Sequence, residues 1–311
     1  MRPLRRIVSP LQALVLCVLF GCGSLPPGWQ NEKADRPSAD NRPLVLASFT
    51  VLADMATNVA CGRLRVESLI REGAEVHGYE VTPADLRRAQ GARLLLENGL
   101  GLERWMDRFA ASLGGIPRVT VSRGVETMPI DAAGAGVNPH AWMSPRAART
   151  YGENLRDAFI RLDPAGAAEY RRCATAYLAE LERLDADLRR QLARLPADRR
   201  LLVSCEGAFS YLARDYGLEQ AWLWPVNGER EVTPRRMRHL IDTVRRRQVP
   251  AVFCESTVDA GAMRRVAAES GARFAGTFHV DSLSPAGGSA PTYQALMRHN
   301  VDLLLRGLAA R

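Results

Sequence analysis

From residue 43 the chain alternates short unbroken apolar runs with stretches in which apolar residues return every three or four positions. The runs LVLASF, RLRVESLI, RLLLENG and RVTVS read as buried strands, whereas TVLADMATNVA, TPADLRRAQ, LERWMDRFAASL and SPRAARTYGENLRDAFIRL carry helical periodicity. That order predicts four βα units. One long helical pattern then fills residues 164–195, opening at Asp163-Pro164 and closing before Pro196. Beyond it LLVSC, QAWLWPV, PAVFCES and RFAGTFHV read as strands, separated by the helical patterns GAFSYLARDYG, TPRRMRHLIDTVRRR and VDAGAMRRVAAESG, with a last helix near 291–308. The expected fold is α/β. Two lobes, residues 43–162 and 197–311, are each built on a mostly parallel sheet flanked by helices and joined by a single long linker helix at 163–196.

The first 42 residues follow another pattern. Arg2, Arg5 and Arg6 precede the apolar run LQALVLCVLFG, which is too short to span a bilayer comfortably and suits the apolar core of a signal peptide over residues 1–21. The run ends Leu19-Phe20-Gly21-Cys22, which resembles the lipobox of bacterial lipoproteins, where cleavage leaves an acylated cysteine at the new N-terminus. Residues 22–42, rich in Pro, Gly and polar side chains, are expected to form a flexible tether behind lipidated Cys22. The expected location is extracytoplasmic, on a membrane anchor in the periplasm or at the cell surface.

Composition narrows the class. With 311 residues, 47% hydrophobic and 24% charged, the chain can bury a large core in about two domains. The formal net charge is +8, but without the three arginines of the signal segment 39 basic residues face 34 acidic ones. These bases are arginines, apart from Lys33, and they alternate with acids on helical stretches, which describes solvated paired faces and excludes a nucleic-acid surface. Cys61, Cys173, Cys205 and Cys254 lie far apart with no CxxC spacing, and their connectivity does not follow from sequence. Cys205 and Cys254 each end an apolar run and read as small core residues.

In an open parallel sheet, loops and helix starts converge beyond the carboxyl ends of the strands, and ligands bind there. Four polar residues occupy such positions. His77 sits in the turn GAEVHGYEVTPADL, ahead of a helix opened by Thr82-Pro83; His140 lies in VNPHAWMSP; Glu206 ends LLVSCE; Asp281 ends RFAGTFHVD. Separations of 63, 66 and 75 residues exclude a local motif such as HExxH but suit a site assembled across a cleft. Two imidazoles and two carboxylates make a divalent-metal set harder than a cysteine site. His279, two residues before Asp281 on the same expected strand, would face the same way, as a packing residue or a support for the ligands. His239 and His299 read as surface residues of helices. Trp142, Trp222 and Trp224 fit either the cleft wall or the core.

The segments HGYEVTPADL, ENGLGLERWMDRF, NPHAWMSP, EGAFSYLARDYGL, VPAVFCESTVDAGAMRRVAAESG and VDSLS, in this order, resemble the solute-binding lipoproteins of bacterial ABC transporters for manganese, zinc and iron over about residues 43–310. The resemblance implies two α/β lobes on a rigid helix, with a divalent ion held between them by His77, His140, Glu206 and Asp281. It also implies a monomer that serves a membrane permease and its ATPase. Glu75 and Asn138 stand where the family often has aspartate, and Val81 where it often has proline; all four ligand positions are kept. The segment SRGVETMPIDAAGAGVN is short and free of histidine, and the third ligand position is Glu206; both favour manganese, or ferrous iron, over zinc. Zinc still binds most nitrogen and oxygen sites more tightly than manganese does.

Two other classes compete. A metal-dependent hydrolase could use the same four residues but needs an open coordination position and a general base, for which Glu255 and Asp259 are the candidates. A surface adhesin has no feature of the sequence in its favour. If Cys22 carries the anchor, Cys22→Ser moves the protein from the membrane to the soluble fraction, because the acyl chains supply the membrane affinity; unchanged fractionation would remove the lipidation reading.

Overall fold

The computed structural model describes residues 41–130, 136–226 and 232–309. The signal segment 1–21, Cys22 and the tether up to residue 40 lie outside the described residues.

Strand β1 (Leu44–Ala47) is buried throughout, as a strand covered by helices on both faces must be. It pairs in parallel with β2 (Arg65–Ser68) and β3 (Ala92–Glu97), and β3 pairs with β4 (Arg118–Thr120), so the sheet order is β2-β1-β3-β4. The helices α1 (Thr50–Ala60), α2 (Pro83–Ala89), α3 (Met106–Ser112) and α4 (Pro145–Leu162) complete the four expected βα units. Thr82 caps α2 with its side chain, and Asp85 returns a bond to the Thr82 amide, while Pro83 fills the first helical position. The loop before α2 therefore ends at a fixed point.

In the second half β5 (Leu201–Glu206) pairs in parallel with β6 (Glu219–Trp224), and β7 (Ala251–Glu255) with β8 (Arg273–Phe278). The helices are α6 (Ser210–Tyr216), α7 (Pro234–Arg246), α8 (Gly261–Ser270) and α9 (Tyr293–Ala309). The two strand pairs abut along β5 and β7. There the reading of Cys205 and Cys254 as plain core residues is corrected: both are buried, but they form a disulfide with Cα atoms 4.8 Å apart. Each is the last but one residue of its strand and each precedes a glutamate, so neighbouring parallel strands bring them level. A second disulfide joins Cys61, just past α1, to Cys173.

Cys173 belongs to α5 (Ala167–Leu192), the helix between the halves. The expected start at residue 164 is shortened, because Pro164–Gly166 forms a 3-10 turn on which Arg63 holds Asp163 at 2.9 Å. Tyr170, Ala174, Tyr177, Leu181, Leu184 and Leu188 make one buried stripe at three- and four-residue spacing. That stripe packs against α1 and α4 of the first half and α9 of the second. The expected strand RFAGTFHV also stops early, at Phe278. The Asn300 side chain accepts from the His279 amide at 2.9 Å and donates to its carbonyl at 2.6 Å, so α9 takes the main-chain groups with which a ladder would continue. Among the described residues no helix is long and apolar enough to cross a membrane.

The Cys61–Cys173 bridge closes a span of 112 residues. Replacing both cysteines by serine is expected to cost about 2–4 kcal/mol and lower Tm by roughly 5–10 °C, as read by thermal unfolding; an unchanged Tm would show that the bridge constrains nothing the fold does not already fix.

Candidate metal centre

His77 lies in the loop between β2 and α2. The Glu75 carboxylate accepts from the amides of His77 and Gly78, each at 2.7 Å, and Trp105 Nε1 donates to the Val76 carbonyl at 3.1 Å. These bonds turn the loop inward, so that the His77 side chain is 5% exposed on an otherwise half-buried residue. His140 is fixed more firmly. Its amide and its Nδ1 both meet Asn138 Oδ1, at 3.1 and 2.9 Å, while Asn138 Nδ2 donates to the Gly207 carbonyl at 2.7 Å and to Ser210 Oγ at 3.1 Å. With the Asn138 amide nitrogen committed to those acceptors, its oxygen must accept from the imidazole. His140 therefore carries its proton on Nδ1 and turns the Nε2 lone pair into the site. Trp142 packs on the His140 ring at 5.1 Å and donates from Nε1 to the Val280 carbonyl at 3.0 Å, next to Asp281.

The four residues named from sequence converge. His77 Nε2 lies 3.3 Å from His140 Nε2, 3.6 Å from Glu206 Oε1 and 3.7 Å from Asp281 Oδ2. His140 Nε2 lies 4.0 Å from Glu206 Oε2 and 3.6 Å from Asp281 Oδ1. One donor atom from each falls within 4.8 Å of all the others. Four ligands about 2.1 Å from a shared tetrahedral ion would be spaced at about 3.4 Å, close to what these side chains show.

The electrostatics ask for a cation. Burial, aided by Arg104, lowers the His77 pKa to about 3, and burial with the neighbouring His77 ring holds His140 well below the usual imidazole range, so both imidazoles are neutral. Asp281 is pushed well above the usual carboxylate range by burial, then by Glu206 and Glu75. Its Oδ1 has no hydrogen-bond partner, and neither has His77 Nδ1. Two buried carboxylates thus face two neutral rings, an arrangement that a divalent ion completes.

Other residues singled out from sequence fall elsewhere. Glu255 is buried beside the Cys205–Cys254 bridge, accepts from the Glu206 amide at 3.3 Å, and is pushed up to about 8, mainly by burial. Asp259 accepts from the Gly261 amide at 2.7 Å, at the start of α8. Neither joins the four-residue cluster. His279 points away from it, because β8 ends before that residue and strand alternation no longer applies. Trp142 walls the site, Trp224 is core, and Trp222 lines a separate groove of about 730 Å³ between β6 and α7.

The sequence reading missed Asn98. Its Nδ2 donates to the Pro139 carbonyl at 3.0 Å, its Oδ1 accepts from Tyr151, and Glu103 receives its amide at 2.8 Å. It thus anchors the His140 loop to the end of β3. The available signal was its place just past that strand, at the same sheet edge as the other site loops.

The family described as zinc-uptake complex component A periplasmic matches residues 45–307. The iron-binding protein YfeA of Yersinia pestis is 44% identical over 265 residues, 85% of each chain. The manganese-binding lipoprotein MntA of Halalkalibacterium halodurans is 32% identical over 297 residues, 95% of this chain and 96% of its own. Among solved structures, the manganese-bound S38A mutant of a periplasmic metal binding protein from Candidatus Liberibacter asiaticus superposes with a TM-score of 0.81 at 34% identity, covering 86% of this chain and 100% of that one. The periplasmic zinc binding protein TroA of Treponema pallidum gives a TM-score of 0.81 at 29% identity, covering 87% and 100%.

The raised pKa of Asp281 has a sign that can be measured. The metal-free carboxyl favours its proton and an ion needs it ionised, so binding releases a proton and affinity rises with pH until the raised pKa is passed. His77 adds nothing in that window, since it does not protonate until about 3. Calorimetry at mildly acidic pH in buffers of different ionisation enthalpy is expected to find net proton release on binding; none released would mean that Asp281 is ionised beforehand.

Proposed function

Because the chain belongs to the zinc-uptake complex component A periplasmic family, the metal-binding substrate-binding components of ABC transporters, we propose that it captures manganese through His77, His140, Glu206 and Asp281 and delivers it to a membrane permease and its ATPase. The observation that carries this reading is the convergence of those four buried side chains, with no lysine or arginine within ion-pair distance of Asp281 among the described residues. In this reading the lobes are residues 43–162 and 197–311, the linker spans 163–196, and a monomer tethered by acylated Cys22 works outside the cytoplasm.

Manganese is favoured over zinc by chemistry. A carboxylate binds through one oxygen or two, so a site with Glu206 and Asp281 can exceed four ligands, which suits manganese, while imidazole offers one nitrogen and suits tetrahedral zinc. Iron is the ion named for the Yersinia relative, and the same ligands suit ferrous iron. Catalysis is disfavoured because Glu206 and Asp281 can each bind through both oxygens and fill the positions a reactant would need, and the two candidate bases bond main-chain amides instead.

The test is competitive titration of manganese and zinc, at fixed pH, against wild type, His77→Ala and Glu206→His. Wild type should bind one manganese, and His77→Ala should lose at least tenfold in affinity. Glu206→His should shift the preference toward zinc, mainly by weakening manganese. Full manganese affinity in His77→Ala would refute the ligand set; an unchanged manganese-to-zinc ratio in Glu206→His would refute Glu206 as the selectivity determinant.

A further inference from the structure

Two more histidines come together outside this site. The His279 and His299 rings lie with centroids 5.3 Å apart at an interplanar angle of 66°, against 5.2 Å and 60° for His77 and His140. Two imidazoles sharing one ion at about 2.0–2.1 Å from each nitrogen have ring centres about 5 Å apart. The ring centres of the second pair are therefore close enough to share one ion once the rings turn nitrogens toward it.

The pair is also held in place. Asn300, the neighbour of His299 on α9, clamps the His279 main chain from both sides, at 2.9 and 2.6 Å, so the two histidines ride on one rigid unit. Their ring nitrogens are lightly engaged. His279 Nδ1 meets Ser256 Oγ at 3.5 Å and Nε2 meets Ser289 Oγ at 3.2 Å, while His299 Nε2 meets the Thr277 carbonyl at 3.5 Å. These contacts lie at or beyond the long end of hydrogen bonding, so an ion displaces little by taking their place. Both rings are half-buried, and Ser256 and Ser289 are exposed, which leaves a path from solvent.

We propose that His279 and His299 form a second metal site, for a transition ion that prefers imidazole nitrogen: nickel, copper(II) or zinc. Among the described residues no third histidine, cysteine or carboxylate converges on the pair. Water must complete the coordination, so the site is weaker and faster to exchange than the first. The lack of a carboxylate discriminates as well, because manganese, lowest in affinity among the divalent transition ions, depends on oxygen ligands that this pair does not offer.

The experiment is titration of the full chain with nickel and, separately, with manganese, comparing wild type with His299→Gln, which keeps the bulk of the ring and touches none of the four residues of the first site. Wild type should take two equivalents of nickel and His299→Gln one, with one equivalent of manganese in both. His279→Ala should repeat the loss of nickel, and His77→Ala should retain the second nickel, which separates failure here from failure of the manganese reading. Equal nickel stoichiometry in wild type and His299→Gln would overturn the proposal. So would a fall in manganese affinity in His299→Gln, which would make His299 part of the first site.

Discussion

Burying Asp281 beside Glu206, with no lysine or arginine within ion-pair distance of Asp281 among the described residues, is the constraint on which this structure turns. Such a pair is tolerable only if a proton or a cation sits between the oxygens, and Asp281 shows the strain in its raised pKa and its unpartnered Oδ1. The imidazoles cannot relieve it by charging, since burial keeps them neutral. What remains is a set of lone pairs aimed at one point, which selects for a small divalent ion.

Holding four repelling or indifferent groups together requires bonds from outside the group. They come from main chain and amide side chains. Glu75 folds the His77 loop, Asn98 pins Pro139, and Asn138 bonds His140 on one side and Gly207, the residue after Glu206, on the other. Asn138 thereby links one of the four converging residues from the first half of the chain to one from the second. An aspartate at that position could serve His140 but could not donate to the Gly207 carbonyl, so the asparagine is specific to this double contact.

Much of this was legible in the sequence because parallel strands buried on both faces leave a plain signal, as LLVSC and PAVFC do, and because ligands gather at one end of such strands. His77, His140, Glu206 and Asp281 were singled out on that ground, and the structure brings them together. What was not legible depends on distant partners. The Cys205–Cys254 bridge needs β5 beside β7, a neighbour relation absent from the local pattern, although the repeated Cys-Glu at two strand ends hinted at a common level. His279 was expected to face with Asp281 by strand alternation, and it does not, because a side chain 21 residues later, Asn300, ends the strand first.

The same disulfide ties the site to its redox surroundings. Cys205 adjoins Glu206, and Cys254 adjoins the glutamate that receives the Glu206 amide, so this brace lies directly beneath one of the four converging residues. Such a bond closes only under oxidising conditions. Where the two sulphurs are reduced, the strand end that carries Glu206 loses its brace, so the fit of that corner answers to the redox state around the chain as well as to its fold.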